Sequence, residues 1–284
     1  MTARVVDGRK IAAKIRSNVA EQVKKYNVKY SKTPCVTTVK VGDDASSAMY
    51  LRLRDNACKE AGIRSTHLEL PNNSSEKKII DEIKKLNKNP KIHGILVQFP
   101  MPKNVSSEKI MNAITPLKDV EGFNPINMGK TLIGEEYLVP CTPLSVLTIL
   151  EHEKIKIKAK NIVIINHSTV VGKPLTALFL NRDATVSICH VYTENIKEYT
   201  SKADILVTAT GIPKLIKNDH IKKDAVVIDV GIVATKQGVC GDVDFEEVKQ
   251  KASTITPVPG GVGPVTIACC LQNMIKTYKN CIEQ

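Results

Sequence analysis

Hydrophobic and polar positions change their period along the chain, and the change predicts strands that alternate with helices. Pro34–Val41 has the β-branched composition of a strand, and Ala45–Ala61 has the pattern of a helix that ends at Gly62. Ser75–Asn89 repeats isoleucine at helical spacing, and His93–Phe99 is a largely apolar run typical of a buried parallel strand. The first half is therefore predicted to form an α/β sheet.

Residues 100–140 are irregular and rich in proline, and the alternation restarts beyond them. Thr142–Glu153 is predicted to be a helix that links two domains. A Rossmann-like half is predicted from the four strands that follow, which are Asn161–Asn166, Thr185–His190, Asp204–Ala209 and Ala225–Val230. A last helix over about Val265–Lys279 is expected to return to the first domain. The predicted domains are residues 1–140 plus 265–284 and residues 141–264.

The composition is that of an ordinary globular protein, with 42% hydrophobic and 25% charged residues and no apolar run longer than a strand. The net charge of +12 suits a nucleic-acid binder or a lysine-rich surface. Aromatic residues make up only 4%, and no nucleic-acid-binding motif is present, which favours the lysine-rich surface. We expect a cytoplasmic protein that binds neither nucleic acid nor membrane. Its eight cysteines lack zinc-type spacing, so we expect reduced, mostly buried thiols and no metal.

The turn after the strand Asn161–Asn166 is a candidate phosphate site. It reads Asn-His-Ser-Thr-Val-Val-Gly-Lys-Pro from Asn166 to Pro174. Such a turn presents backbone N–H groups and a helix N-terminus to an anion. Gly172 would allow close helix packing, and Asn166 stands where dinucleotide folds often use glycine, since asparagine tolerates positive φ. The alternative is an ordinary tight turn without a ligand.

Three further segments run from a strand into glycine. They are Ala203–Pro213, Val227–Ile232 and Thr256–Pro264. Glycine lets a flat ring approach the backbone closely. Each segment alone is compatible with ordinary turn chemistry, but together they place glycine-terminated strands at one edge of one sheet, where α/β proteins bind ligands.

The first half carries polar candidates of its own. Ser47, Tyr50 and Arg54 share one helix face by their spacing of three and four residues. Gln98 closes an apolar strand, where an amide indicates binding, and Lys118–Phe123 places two carboxylates in a loop. Each candidate also has a simpler interpretation, namely a solvated Arg54, a core Tyr50 and ordinary surface acids.

These motifs occur in one order, which is Ser47–Tyr50, Gly94–Pro100, Lys118–Phe123, Pro140–Pro143, Ser168–Pro174 and Pro257–Pro264. In this order and spacing the chain resembles the methylenetetrahydrofolate dehydrogenase/methenyltetrahydrofolate cyclohydrolase family over essentially its whole length. The resemblance implies a folate-binding catalytic domain and an NAD(P)-binding domain that flank a cleft. It implies oxidation of 5,10-methylenetetrahydrofolate with NADP as the acceptor, and NAD is left as the alternative. It also implies a homodimer, which we expect to form through the second domain.

Position by position, the resemblance implies roles for individual residues. Catalytic roles fall on Tyr50, Arg54 and Gln98. Substrate binding falls on Ser47, Tyr50, Gln98, Glu121, Pro259, Gly260 and Gly261. Cofactor binding falls on Asn166, His167, Ser168, Gly172, Lys173, Pro174, His190, Thr210, Gly211, Gly231, Ile232, Gly263 and Thr266.

Three positions depart from the family pattern. Arg54 stands where the family has lysine, Glu121 where it usually has aspartate, and His167 where the turn often has arginine. Hydride transfer gives the methenyl cation without a general base, whereas cyclohydrolysis must move protons. A buried lysine can lose its proton and an arginine keeps it. We therefore predict that the dehydrogenase activity is retained and that hydrolysis to 10-formyltetrahydrofolate is weakened or lost.

Three alternatives stay open on the sequence. One is a fully bifunctional enzyme in which Tyr50, Gln98 and a bound water activate the nucleophile despite Arg54. Another is a catalytically inactive subunit that binds folate or dinucleotide for a partner protein. The third is a dehydrogenase for another small molecule, which the longer side chain of Glu121 keeps open.

Overall fold

The computed structural model describes residues 2–42, 45–236 and 238–283, and for residues 45–47 it describes the backbone alone. The chain forms two compact units. The three-stranded unit comprises Ala13–Lys130, Glu136–Cys141 and Ile267–Gln284, and the six-stranded unit comprises Met1–Ala12, Thr131–Glu135 and Thr142–Thr266. The domains predicted from the sequence divide residues 1–12, 131–135, 141 and 265–266 differently. The assignment of a folate-binding and a dinucleotide-binding domain stays a prediction.

The strands of the described residues are β1 (Arg4–Val5), β2 (Cys35–Val41), β3 (Arg64–Leu70), β4 (Gly94–Val97), β5 (Asn161–Ile165), β6 (Thr185–Cys189), β7 (Ile205–Thr208), β8 (Val226–Asp229), β9 (Val233–Thr235), β10 (Gly238–Cys240) and β11 (Thr254–Ile255). Their helices are α1 (Gly8–Tyr30), α2 (Ala45–Ala61), α3 (Glu76–Lys88), α4 (Ser107–Ala113), α5 (Pro125–Leu132), α6 (Cys141–His152), α7 (Gly172–Leu180), α8 (Ile196–Thr200), α9 (Phe245–Val248) and α10 (Val262–Ile282). Every strand and helix predicted above is present, with bounds that differ by a few residues.

The sheet of the three-stranded unit has β2 at its centre, paired in parallel with β3 and β4. Cys35 and Val39 belong to a core formed with α3 and α4, whereas Val36 and Leu96 pack against α2 and α10. Both faces are thus covered. A strand buried on both faces needs apolar residues at successive positions, which explains the continuous run at Gly94–Val97.

Helix α10 contributes to the core of the three-stranded unit through Ile267, Leu271 and Met274. The predicted return of the last helix to the first domain is therefore confirmed. Fully buried Asn273, on the same helix, donates two hydrogen bonds through Nδ2, to the carbonyl oxygen of Val120 at 2.9 Å and to that of Val139 at 2.8 Å. One amide thereby fixes two separate loops to the helix.

The sheet of the six-stranded unit has the order β1-β11-β8-β7-β5-β6, and its neighbouring strands are parallel. The chain order reverses at β5, which lies between β6 and β7. In open α/β sheets, ligands bind at the carboxyl ends of the strands beside such a reversal. The predicted Rossmann-like half is confirmed, and its expected crevice lies beyond Ile165 and Thr208, which are partners in the sheet.

Two general expectations also have an outcome in the structure. All eight cysteines are free thiols, and six of them are buried, as predicted. In the part of the chain that the structure describes, no helix has both the length and the apolar character needed to cross a bilayer.

Candidate functional site

Tyr50 and Arg54 lie one turn apart on α2 and face the same side. The guanidinium carbon of Arg54 lies 5.9 Å from the centroid of the Tyr50 ring, and Tyr50 packs at the border of the apolar core. Arg54 itself is only 1% exposed, so its interpretation as a solvated surface residue is wrong. A buried charge on this face needs partners, and those partners define the rest of the site.

Arg54 reaches from α2 to the central strand of the sheet. Its Nη2 donates to Oγ1 of buried Thr38 at 2.6 Å, and its Nε has no hydrogen-bond partner among the described residues. Thr38 is the register partner of Leu96 on β4. Gln98 follows Leu96 by two residues, and alternate residues of a strand lie on one face. Gln98 therefore lies on the sheet face that Arg54 contacts.

Gln98 extends the pairing of β4 beyond its last strand residue. Its backbone N–H donates to the carbonyl oxygen of Val39 at 2.9 Å. Its side-chain Nε2 donates to the carbonyl oxygen of Phe99 at 2.9 Å, which fixes the orientation of the amide and leaves its oxygen as an acceptor. The half-buried amide is thus held at the carboxyl end of the strand, where the sequence placed it.

The two carboxylates of the loop Lys118–Phe123 have different environments. Buried Asp119 accepts hydrogen bonds from the backbone of Gly122 and Asn124 and from Nδ2 of Asn127, at 2.8–3.0 Å. Asp119 therefore organises the loop itself. Glu121 is half-buried, and burial raises the pKa of its carboxyl against the opposing effect of the Arg54 cation.

The electrostatics of this site keep a permanent cation beside weak acids. Burial alone would lower the pKa of the Arg54 guanidinium, but the ionisable groups of Cys270, Tyr50 and Glu121 beside it raise the pKa overall. Burial and the Glu121 charge raise the pKa of the Tyr50 phenol well above its usual value. In the three-stranded unit, Arg54 is therefore charged and Tyr50 neutral throughout the neutral pH range.

A cavity of about 720 Å³ opens at the carboxyl end of the same small sheet. It is lined by Val41, Gly42, Glu69, Leu70, Pro71, Asn72, Pro100, Met101 and Pro102. Its size is that of a small-molecule site. The lining does not include Tyr50, Arg54 or Glu121, so the cavity shares the sheet edge with these residues without containing them.

In the six-stranded unit, Asn166 organises the turn after β5. Its Oδ1 accepts hydrogen bonds from the backbone N–H and Oγ of Ser168, both at 2.8 Å, and from the N–H of Gly172 at 3.0 Å. Its Nδ2 donates to the carbonyl oxygen of Ala209, beyond β7, at 2.7 Å. Asn166 is not among the residues with positive φ, so that expectation is wrong. The position uses the hydrogen-bonding capacity of the amide instead.

Gly172 begins α7 directly against this turn. A Cβ at Gly172 would lie 2.1 Å from the carbonyl oxygen of Asn166, so only glycine fits. The backbone N–H of exposed Lys173 donates to the carbonyl oxygen of Ser168 at 3.0 Å, and buried Pro174 occupies the first helical turn, where proline is tolerated. The helix N-terminus and its close approach to the turn fit a dinucleotide pyrophosphate.

Two imidazoles lie together at the ends of β5 and β6. The ring centroids of exposed His167 and half-buried His190 are 4.8 Å apart, and the exposed ring of Tyr192 lies 5.9 Å from His190. Nδ1 of His190 accepts from the backbone N–H of Tyr192, which leaves its Nε2 on the other side of the ring. The predicted His167 and His190 are thus brought together.

A buried carboxylate that the sequence analysis missed fixes the glycine turns after β7 and β8. Asp242 accepts hydrogen bonds from the N–H groups of Thr210 at 2.5 Å and Gly211 at 2.9 Å. A Cβ at Gly231 would lie 2.1 Å from the same carboxylate. Gly211, at φ 73°, has open space where a side chain would be, as a flat ring ligand requires.

The loop Pro257–Pro264 belongs to the six-stranded unit and packs on the start of α1. A Cβ at Gly8 would lie 1.8 Å from the carbonyl oxygen of Gly261, and Gly260 has a φ of 107°. Gly8 is a further residue that the sequence analysis missed, because nothing in its local pattern indicates a contact so distant in sequence. Pro259 next to Gly260 is exposed.

The remaining predicted residues have mixed surroundings. The side chain of Ile232 is 66% exposed, and its Cδ1 is the atom nearest to the position of a Cβ on Gly263, at 4.0 Å. The hydroxyl of Thr266 is buried and bonds to that of Ser145 at 3.0 Å, so it supports the packing of helices. Ser47 lies on α2, but its side chain lies outside the described residues.

Comparison with known proteins agrees with both halves of this architecture. Residues 6–121 match the catalytic domain of tetrahydrofolate dehydrogenase/cyclohydrolase, and residues 140–282 match the NAD(P)-binding domain of the same family. The bifunctional protein FolD of Methanosarcina barkeri is 50% identical over 273 residues, which cover 96% of this chain and 95% of that protein.

Solved structures of similar proteins share the fold closely. The bifunctional methylenetetrahydrofolate dehydrogenase/cyclohydrolase FolD of Campylobacter jejuni has 40% identity and a TM-score of 0.95, over 98% of this chain and 99% of that one. The Trypanosoma brucei dehydrogenase-cyclohydrolase, complexed with NADP and an inhibitor, has 34% identity and a TM-score of 0.94, over 98% of each chain.

Proposed function

The chain belongs to the tetrahydrofolate dehydrogenase/cyclohydrolase family, and we propose that Arg54 makes it an enzyme whose dehydrogenase step outpaces its cyclohydrolase step. The dehydrogenase step oxidises 5,10-methylenetetrahydrofolate to 5,10-methenyltetrahydrofolate with NADP as the hydride acceptor. The observation that carries the proposal is a permanently charged guanidinium, 1% exposed, beside Tyr50 and Glu121.

The folate contacts are proposed for the face of the small sheet that carries Tyr50, Gln98 and Glu121. The ring of Tyr50 offers a flat apolar surface for the pterin, and the oxygen of the Gln98 amide is left to accept from it. The Glu121 carboxylate is the acid for the amino edge of the pterin, because Asp119 is already committed to its own loop. The third alternative, another small substrate, is less favoured by a site so complete for a folate.

Hydride transfer needs no general acid or base among these residues. NADP, when bound, accepts the hydride. The methylene carbon loses no proton, so the side chains have only to orient the folate and exclude water. A cation develops on the folate, and the Arg54 charge would oppose it if unbalanced. Glu121 beside Arg54 supplies the compensating negative charge, so this step is compatible with arginine.

Cyclohydrolysis makes a different demand. Water adds to the methenyl carbon and loses a proton, and a ring nitrogen must then gain one before the carbon–nitrogen bond breaks. A lysine with a lowered pKa can serve as such an acid and base, whereas Arg54 keeps its proton. Positioned acid–base groups contribute about 10²–10⁴-fold to rate, so we expect a loss within this range.

The experiment follows reduced NADP and methenyltetrahydrofolate by absorbance in the same reaction. In the wild-type protein, the methenyl product should accumulate in step with reduced NADP. Arg54→Lys should shorten its lifetime about tenfold or more, with the dehydrogenase rate changed only a few-fold. Arg52→Lys is the matched control, because Arg52 is an exposed arginine on the same helix.

The opposite outcome would favour the fully bifunctional enzyme, which the names of its relatives support. If reduced NADP forms without methenyl product above the level set by uncatalysed hydrolysis, Tyr50, Gln98 and a water suffice for the second step. Binding of both ligands without any turnover would instead favour the inactive subunit.

The six-stranded unit is proposed to bind NADP through three groups of atoms. The turn after β5, with the N-terminus of α7 held against it by Asn166, is assigned to the pyrophosphate, and the glycine turns at Gly211 and Gly231 are assigned to the nicotinamide. The pair His167 and His190 is assigned to the 2′-phosphate, with the exposed amine of Lys173 as a further cation on the turn. An initial-rate preference for NAD would contradict this assignment.

Two coarser properties are also proposed. A homodimer is expected through the exposed edge strand β6 of the six-stranded unit, because Ile188, Val191 and Tyr192 leave 37%, 80% and 83% of their surface uncovered at this edge. Sedimentation as a monomer at micromolar concentration would contradict it. The cytoplasm is the proposed compartment, since free, mostly buried thiols suit a reducing environment.

A further inference from the structure

Two thiols and a carboxylate meet in the three-stranded unit, and hydride transfer has no use for the thiols. Glu121 lies in the loop after the small sheet, Cys141 begins α6, and Cys270 lies on α10. One carboxylate oxygen and the two Sγ atoms all lie within 4.8 Å of one another. Cys141 and Cys270 are buried, at 1% and 0% exposure, while Glu121 is half-buried and gives access.

We propose that Glu121, Cys141 and Cys270 form a binding site for a thiophilic divalent cation, with Zn²⁺ as the best fit, and that this cation excludes folate. Thiolate and carboxylate oxygen are ordinary Zn²⁺ ligands, at about 2.3 Å and 2.0–2.2 Å. Tetrahedral geometry at these bond lengths places ligand atoms about 3.5–3.8 Å apart. The ligand atoms therefore need to approach one another by at most about 1 Å, which side-chain rotation supplies.

The backbone that carries these ligands is held by one residue. Nδ2 of Asn273 donates to the carbonyl oxygens of Val120 and Val139, and it also lies 3.6 Å from Sγ of Cys141. Asn273 is three residues beyond Cys270 on the same helix, so one amide ties all three ligand-bearing segments together. Such prior fixing lowers the entropic cost of assembling a metal site.

The charges around the cluster balance a divalent cation. With both thiols and Glu121 deprotonated, the ligands carry three negative charges, and Arg54 with a divalent cation carries three positive charges. Thiol and carboxyl ligands must be deprotonated to bind the cation, so metal binding releases protons and tightens as the pH rises.

The competition with folate rests on the role proposed for Glu121. A cation that takes the Glu121 carboxylate removes the acceptor for the amino edge of the pterin and sits beside Tyr50. Zn²⁺ should therefore raise the KM for methylenetetrahydrofolate without changing the KM for NADP. The ligands belong to three distant segments, so motif spacing could not indicate this site.

The test uses Co²⁺ as a spectroscopic substitute for Zn²⁺, added to the reduced, metal-free full-length protein without folate. We expect one Co²⁺ per chain, with thiolate-to-cobalt charge-transfer bands that added Zn²⁺ removes. Cys270→Ser and Cys141→Ser should each lose or strongly reduce these bands. Cys281→Ser is the matched control on α10, because Cys281 is only partly buried and lies outside the cluster.

Several outcomes would overturn the proposal. These are wild-type protein without charge-transfer bands, bands that persist in Cys270→Ser or Cys141→Ser, and bands that are lost equally in Cys281→Ser. A disulfide between Cys141 and Cys270 that forms under reducing conditions would also overturn it. Should a serine variant fail to fold, Glu121→Gln gives a second reading through weaker Co²⁺ affinity. Metal binding is measured without turnover, so the two proposals can fail independently. The protein can be an active dehydrogenase that binds no metal, or it can bind metal without dehydrogenase activity.

Discussion

Thr38→Val is the substitution that tests most directly how the Arg54 cation is held. It replaces a buried hydroxyl with a methyl group of similar size and removes the 2.6 Å hydrogen bond to Nη2. Arg54 is 1% exposed and its Nε lacks a hydrogen-bond partner in the described part of the chain, so little water is at hand to replace the lost acceptor. A hydrogen bond to a charged group is worth about 1.5–3 kcal/mol, and we expect a loss of this size in the free energy of unfolding.

Urea unfolding followed by far-ultraviolet circular dichroism measures this loss, since the chain has no tryptophan. Thr38→Ser keeps the hydroxyl and should cost only the buried methyl, about 1 kcal/mol. In an Arg54→Met background, Thr38→Val should lower the free energy of unfolding by less than about 0.5 kcal/mol, because no buried cation is left that needs the Thr38 hydroxyl as an acceptor. Equal losses from Val in the two backgrounds would refute the reasoning.

Three further predictions concern the six-stranded unit. Asn166→Asp should raise the KM for NADP about tenfold or more, because it places a negative charge at the phosphate turn and removes the donor to Ala209; steady-state kinetics with varied folate should show an unchanged KM for folate. Gly172→Ala should weaken NADP binding in calorimetry, since its Cβ would meet the carbonyl oxygen of Asn166 at 2.1 Å. Burial raises the pKa of Asp229 to about 7, so the folded state binds this proton more tightly than the unfolded state. The stability from this group should be lost as the pH rises from about 4 to 7, by at most about 4 kcal/mol, and Asp229→Asn should flatten that slope.

The fold was predictable because its signals are local. Ala45–Ala61 has helical periodicity within itself, and the strand Gly94–Val97 is continuous because both faces of a parallel sheet are buried. The strands that end in glycine then indicated a ligand-binding site at one edge of the sheet. The order of the strands reverses at β5, as it does beside the ligand sites of other open α/β sheets. Each of these inferences needed only neighbours in sequence and a general rule about sheets.

The supports of the site were not predictable in the same way. Asp242 accepts hydrogen bonds from the N–H groups of Thr210 and Gly211, and Asp229 accepts hydrogen bonds from those of Gly231 and Val243. In sequence, each of these aspartates is an ordinary acid, one at the end of a strand and the other in a loop. Their function depends on which turns the sheet order brings beside them, and that is a property of the tertiary fold alone.

Arg54 and Glu121 are best understood as one change in the charge of the site. A lysine of lowered pKa can leave a buried site neutral when no ligand is bound, whereas a guanidinium stays charged and must be balanced at every pH. Glu121 places a carboxyl group beside this cation on a side chain one methylene longer than aspartate, and the Thr38 hydroxyl accepts a hydrogen bond from Nη2 on the sheet side. The proposed loss of proton transfer therefore has one physical origin, which is a cation that cannot give up its proton.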